Sequence, residues 1–277
     1  MTVNRPDQVT TGSLNVVLLT SSSMGVELAA SLSRLSEVRS MTVVTTRAMR
    51  GKRNLWEKLR GIHHHDGPAG VLRAAIKRIT ERWRGQTIAQ AVATRCPRAR
   101  HLHCEDLHSA ESLALLNGLG ADLGIVFAAY RLRPSVFTIP RLGCLNLHLG
   151  HAPDFRGSSP AFYEMLEGVP TVGVTVHRIT EGLDAGPILA QESFPIALAP
   201  EEDPVAYLSR YQVEVLIPNG LRLMAQAVQA VARGQIHEYP QSETGRPARR
   251  RATYALKREL RRRVTQRRNG REVTRQG

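Results

Sequence analysis

Gly143-Cys144-Leu145-Asn146-Leu147-His148-Leu149-Gly150-His151-Ala152-Pro153-Asp154-Phe155-Arg156-Gly157 opens the stretch from which the rest of the chain can be read, and that stretch runs on to Gly186. Its first six residues have the apolar character of a strand, interrupted at alternate positions by Asn146 and His148. Side chains alternate faces along a strand, so these two project from the same side near its carboxyl end. Polar groups placed there must be satisfied or used. In an open α/β sheet, that edge is where ligands collect. A short helix is expected at 158–168, a strand at 172–179, and then the turn Glu181-Gly182-Leu183-Asp184-Ala185-Gly186.

The preceding segments supply the sheet this strand belongs to. Leu14-Asn15-Val16-Val17-Leu18-Leu19-Thr20 is short and apolar, as a strand buried in a parallel sheet would be. Ser21-Ser22-Ser23-Met24-Gly25 reads as a turn, and 26–35 has helical spacing with Ser23 as candidate N-cap. A second strand follows at 41–46, which completes a βαβ unit with its right-handed crossover. The Ser-rich turn is read as a plain turn, the alternative being a phosphate cradle at the helix start. Further strands are expected at 100–104, 122–128 and 188–196. Helices are expected at 109–117, closed by Gly118, and over 203–233 with a break at Pro218-Asn219-Gly220. Residues 235–239 read as a last extended piece. The pattern is α/β: a Rossmann-like open, mostly parallel sheet flanked by helices.

The chain has 277 residues, 42% of them hydrophobic, enough for an ample core in one large or two small domains. No run approaches the length of a membrane span. Met1 to Thr11 is polar, so no secretory leader is expected. Cys96, Cys104 and Cys144 do not make a disulfide framework, and a reducing cytoplasm is the natural setting. The net charge of +14 is uneven: 241–277 holds 13 basic residues against three acidic, and 47–100 holds 14 against three, so the remainder is acidic. These additions suggest an anionic partner (tRNA, a nucleotide or a membrane surface), or else they stay solvated.

The first addition interrupts the sheet as a basic helical insertion. Leu55-Trp56-x-x-Leu59 and Val71-Leu72-x-x-Ala75-Ile76-x-x-Ile79 have helical spacing, with a His63-His64-His65-Asp66 loop between them. Neither that loop nor Cys96 and His101-x-His103-Cys104 has recognised metal-ligand spacing, and no native metal site is expected. A cap over the site, a dimer surface, a membrane contact and plain surface decoration all remain open. The second addition is expected to be a flexible basic tail, with 257–266 able to turn helical on binding. The main domain is therefore drawn as 1–240.

Asn146-x-His148, Pro153-x-x-Arg156-Gly157, a helix bearing Pro160 and Gly168, Gly173-Val174-Thr175-x-His177 and Leu183-Asp184-x-Gly186 occur in the order and spacing of the folate-dependent formyltransferases. The chain resembles that family closely over roughly 121–196 and loosely over its first strands. The family includes methionyl-tRNA formyltransferase, glycinamide ribonucleotide transformylase and the sugar N-formyltransferases. The resemblance implies the formyltransferase fold and an enzyme of one-carbon metabolism that takes a formyl group from 10-formyltetrahydrofolate, without a metal. It implies catalytic roles for Asn146, His148 and Asp184. Phe127, Ala128 and Tyr130, with Gly182 and Leu183, would then lie near the folate. Pro153, Arg156 and Gly157 would support the loop or meet the acceptor. The commoner family loop, Ser-Leu-Leu-Pro, is replaced here by Gly150-His151-Ala152-Pro153, and His151 reads as exposed or structural rather than catalytic.

Those residue types suit acyl transfer to an amine. Asn146 offers an N–H to a developing oxyanion, worth about 3–4 kcal/mol when preorganised. His148, preferably cationic, adds a donor and a charge. Asp184 orients His148 and relays the amine proton. No serine or cysteine sits in a nucleophile elbow, and no dinucleotide fingerprint is present. The leading expectation is transfer to a primary amine of a small molecule, such as a nucleotide-linked amino sugar. Methionyl-tRNA formylation is the alternative, set against a tail too short for the barrel domain of that enzyme. The other competing reading is a non-catalytic module binding nucleic acid or another anion.

Overall fold

The computed structural model describes residues 12–47, 56–57, 59–68, 70 and 88–275. Its frame is one sheet of strands β1 (Leu14–Thr20), β2 (Val38–Thr46), β3 (Arg100–Cys104), β4 (Leu123–Phe127), β5 (Cys144–His148), β6 (Thr171–Arg178) and β7 (Ile188–Pro195). Their spatial order is β3-β2-β1-β4-β5-β6-β7. The first five run parallel, whereas β6 is antiparallel to both β5 and β7. This is the open, mostly parallel Rossmann-like sheet that the sequence pattern implies.

Alternation within the strands sorts the core into two layers. Leu14, Val16 and Leu18 of β1 face one side, where they join α1 (Met24–Leu32), α3 (Ile88–Arg95) and α8 (Ile217–Ala232). Val17 and Leu19 face the other side, with α4 (Ala110–Gly118) and α5 (Pro134–Phe137). Burial of both faces is what makes these strands continuous apolar runs. Cys144 lies wholly inside, where burial pushes its thiol up to about 12 and leaves it a packing residue.

Several local expectations are corrected. At α1 the N-cap is Ser23, as expected, but it makes no side-chain capping bond, and the Met24 N–H donates to Ser22 Oγ at 3.2 Å instead. The expected break at Pro218 is absent: α7 (Pro204–Tyr211) passes through a π turn (Gln212–Leu216) directly into α8. Pro218 stands at the start of α8, immediately after the π turn. His63 to Asp66 is no loop but part of helix α2, residues 59–68. It is tied to the far end of the chain by His65 Nδ1 against the Ala252 carbonyl at 3.1 Å and by Asp66 paired with Arg251 and Lys257. The amphipathic stretch at 71–79 lies outside the described residues.

The largest correction concerns the C-terminal addition. From 241 to 253 the chain is an extended strap lying on the body, and α9 (Tyr254–Arg275) is a helix. Leu256, Leu260 and Val264 recur every four residues, the spacing of one helix face. Leu260 and Val264 are buried in the main core, and Leu256 packs beside them. Arg261 pairs with Asp203, the N-cap of α7, at 2.5 Å, and Arg267 donates to the Met165 and Leu166 carbonyls that end α6 (Phe162–Glu167), at 2.9 Å each. Among the described residues no helix is long and apolar enough to cross a membrane.

Leu260→Ala should therefore lower the unfolding free energy by about 2–4 kcal/mol, as truncation of a core leucine does. Chemical denaturation measures this, and an unchanged midpoint would mean that α9 does not contribute to the core.

Candidate active site

The antiparallel pairing of β5 with β6 sets the centre of the site. In that register Asn146 stands opposite His177, and His148 opposite Thr175. The turn after β6 folds back so that Asp184 reaches both polar residues of β5. Asn146 Nδ2 donates to Asp184 Oδ1 at 3.3 Å and lies 3.1 Å from His177 Nε2. His148 Nδ1 is 3.6 Å from Asp184 Oδ2, and His177 Nε2 is 3.5 Å from Oδ1. The Gly157 N–H closes the arrangement by donating to Asp184 Oδ2 at 2.8 Å. The three residues singled out in the sequence thus meet around one carboxylate, and His177 joins them.

His177 belongs to a quoted motif but received no role there. Its signal was available only through strand register, which pairs it with Asn146. Its Nδ1 lies 2.7 Å from the Arg178 carbonyl and must carry the hydrogen, so Nε2 accepts from Asn146.

The electrostatics follow from burial. Burial alone would raise the Asp184 carboxyl, but the His177 contact, the two imidazoles and the Gly157 N–H outweigh it and hold its pKa below the ordinary value. His148 goes the other way: burial pushes its imidazole down, against Asp184 and the Phe155 carbonyl, which favour the cation. Its Nε2 lies 2.8 Å from the Phe155 oxygen and therefore carries hydrogen. At 3.6 Å, Nδ1 is beyond hydrogen-bond range of Asp184. Nε2 therefore points away from the carboxylate and Nδ1 faces it. Burial thus opposes the cation that the sequence reading prefers, while Asp184 and the Phe155 carbonyl favour it.

These groups form the floor of a cleft of about 380 Å³, a size typical of small-ligand sites, about 300–1,000 Å³. Phe127, Ala128, Tyr130, Gly182, Leu183 and Gly157 all line it. The Tyr130 hydroxyl is engaged elsewhere, accepting from the Leu107 N–H at 2.7 Å and donating to Asp106 at 3.1 Å. Arg131 bonds the Glu181 carbonyl and so joins the two walls. Ser158 and Ser159, not anticipated, also face the cleft. Pro153 and Arg156 do not: Pro153 follows a cis peptide bond, and Arg156 donates to the Arg246 carbonyl at 2.9 Å. His151 is likewise away from the cleft, packed against Gly173. Among the described residues, the non-glycine positions with positive φ are Ala128, Ser159, Ala161 and Asp184, all in or beside the cleft. Such conformations cost about 1–3 kcal/mol each and persist only where surroundings enforce them.

The sequence model of the family described as formyl transferase matches residues 61–215. The chain belongs to the formyl transferase family. Methionyl-tRNA formyltransferase of Methylobacterium nodulans is 36% identical over 140 residues, which are 50% of this chain and 43% of that protein. The chain thus spans under half the length of that relative. Among solved structures, glycinamide ribonucleotide transformylase 1 of Symbiobacterium toebii is 22% identical with a TM-score of 0.54, covering 82% of this chain and 94% of the other. A sugar 3N-formyl transferase solved with dTDP and 5-N-formyl-THF is 12% identical with a TM-score of 0.51, covering 86% and 70%. These likenesses establish the fold as that of the formyltransferases.

Behind His148, Glu164 of α6 is 2% exposed and its Oε1 has no partner among the described residues. Burial raises its pKa to about 7, against its own helix N–H and that of His151. A raised folded-state pKa stabilises the fold below the unfolded value near 4.5, and this contribution is lost as pH rises through about 7. Glu164→Gln should then be more stable than wild type at pH 8 by about 3 kcal/mol and equal to it near pH 4. Urea titrations across that pH range check this, and a pH-independent difference would contradict it.

Proposed function

We propose that this protein transfers a formyl group from 10-formyltetrahydrofolate to a primary amine of a small-molecule acceptor, a nucleotide-linked amino sugar being the type in view. The observation that carries the reading is the Asp184 carboxylate, held ionised at the base of the cleft between Asn146, the Gly157 N–H and the free Nδ1 face of His148.

The cleft suits such a donor. Its wall from Val126 to Leu132 is largely apolar, as a flat heterocycle requires, and the 179–183 segment opposite offers backbone polar groups. The folate would supply the formyl group on a nitrogen able to leave. Asp184 and the Nδ1 of a neutral His148 stand together as acceptors for the proton that an attacking amine sheds. Protonation makes His148 a cation paired with Asp184, able to pass that proton to the folate nitrogen as its bond to the formyl carbon breaks. Asn146 Nδ2 is the donor for developing oxygen charge, exchanging its long 3.3 Å bond to Asp184 for a stronger one. The sugar 3N-formyl transferase solved with a formylated folate supports the choice of donor.

Formylation of charged tRNA is the second reading, favoured by the name of the 36%-identical relative. The small-molecule acceptor is preferred because several basic residues of α9 are engaged with the body, Lys257 with Asp66, Arg261 with Asp203, and Arg267 and Arg268 with backbone carbonyls, and Arg262 and Arg263 pair with Glu259 of the same helix.

The direct test supplies 10-formyltetrahydrofolate with a panel of amines, including amino-sugar nucleotides and charged initiator tRNA, and follows tetrahydrofolate release. Release with amino-sugar nucleotides and none with tRNA is expected. Asp184→Asn and His148→Ala should each lower turnover about 10²–10⁴-fold with the fold intact by circular dichroism. Near-normal turnover in Asp184→Asn would remove that residue from the mechanism.

A further inference from the structure

The family match ends at residue 215, yet the groups around Asp184 are fixed from beyond it. Gln241 donates its two amide hydrogens to the carbonyl oxygens of Asp184, at 2.9 Å, and Gly186, at 2.7 Å. Both partners are acceptors, so the amide nitrogen faces the turn, and Gln241 Oε1 is left buried without a partner among the described residues. A buried orphan oxygen is unfavourable, and it persists opposite the two bonds that clamp the turn. Asp184 needs such a clamp, because it holds φ 49°, a conformation that costs a non-glycine residue about 1–2 kcal/mol.

The same segment also holds the partner of the carboxylate. The Arg249 N–H donates to the Arg156 carbonyl at 2.8 Å, and the Ser158 N–H donates to the Arg249 carbonyl at 2.9 Å. These two bonds flank Gly157 and aim its N–H at Asp184 Oδ2. A side chain at 157 would run into the Arg249 backbone, and φ there is +103°. Further anchors are the Tyr163 hydroxyl on the Arg250 carbonyl, at 2.7 Å, and the Ala252 N–H on Ser159 Oγ, at 2.9 Å. One stretch outside the family match therefore fixes both the turn that carries the carboxylate and the loop that carries its shortest hydrogen bond.

We propose that residues 241–252 are a built-in positioning strap for the active site, and that Gln241 is a positioning residue acting through Asp184. The inference rests on the formyl-transfer reading for its kinetic consequences, though not for its structural ones. Loss of the clamp lets the turn relax, and a displacement of about 1 Å at a reacting group can cost up to about 10²-fold in rate.

The test uses the full chain carrying Gln241→Ala, with three readouts: kcat and KM for formyl transfer, the NMR titration of the His148 and His177 ring nitrogens, and Tm. Arg261→Ala, which cuts an ion pair on α9 away from the cleft, is the control for simple destabilisation. Gln241→Ala should lower kcat about 10–100-fold with the donor's KM little changed, and should shift the titration of both imidazoles. Arg261→Ala should leave both readouts at wild-type values whatever its Tm. If Gln241→Ala does not fold, Gln241→Asn, one methylene too short to span both carbonyls, should show the same signature in milder form. Unchanged kcat and unchanged titration in a folded Gln241 variant overturn the proposal, as does an equal kcat loss in Arg261→Ala. If the wild type transfers no formyl group to any amine, the functional reading fails, and the imidazole titrations alone decide: a shift in the Gln241 variant supports the strap and no shift overturns it.

Discussion

A carboxylate taken out of water is the constraint on which this site depends. The Asp184 side chain is 11% exposed, and a buried charge costs several kcal/mol unless donors replace its lost water. The replacements come from two separate parts of the chain, the Asn146 amide from β5 and the Gly157 N–H from the loop that follows it, while His177 of β6 holds the Asn146 amide in place. Each imposes a local condition. Asn146 must face His177, which fixes the β5–β6 register. Residue 157 must lack a side chain, because the Arg249 backbone occupies the space. Asp184 itself must hold a left-handed backbone.

The reversal of strand direction after β5 serves the same end. In a parallel sheet the loops at one edge gather side chains from many strands, but each strand contributes only at its carboxyl end. Running β6 antiparallel sets His177 beside the middle of β5 instead. The turn that follows can then fold back over Asn146 and His148. His148 is enclosed on its other side, with Nε2 on the Phe155 carbonyl. That enclosure works against the imidazolium and sets the Nδ1 face beside the carboxylate, so the two groups share one small space and their titrations are coupled.

How much of this was legible in the sequence depends on which atoms carry the interaction. The strands were legible because two-sided burial writes itself as runs such as Val16-Val17-Leu18-Leu19. Asn146, His148 and Asp184 were legible because polar side chains in an apolar strand or a glycine-flanked turn stand out. The strap was not, because most of its bonds to the site are made by backbone groups of Arg246, Arg249, Arg250 and Ala252, to which no residue type is a clue. Gln241 does act through its side chain, but a glutamine between a proline and a serine carries no pattern. The docking of α9 was half legible. Leu256, Leu260 and Val264 keep a helical spacing, but three apolar residues among arginines are outweighed in any compositional reading.

Charge misled for a related reason. Arginine-rich composition reads as a solvated or partner-binding surface when its counter-charges are distant in sequence. Here Glu167 of α6 meets both Arg246 and Arg249, Asp203 meets Arg261, and Asp66 meets Arg251 and Lys257. Exposed pairs of this kind contribute little singly, about 0–1 kcal/mol, and could not by themselves hold a tail of this length. They act with the apolar stripe of α9 and with the backbone bonds of the strap, which supply direction where ion pairs supply only attraction. The acidic body and its basic C-terminal segment are thus two halves of one charge distribution. The seam between them ends at the turn that carries Asp184.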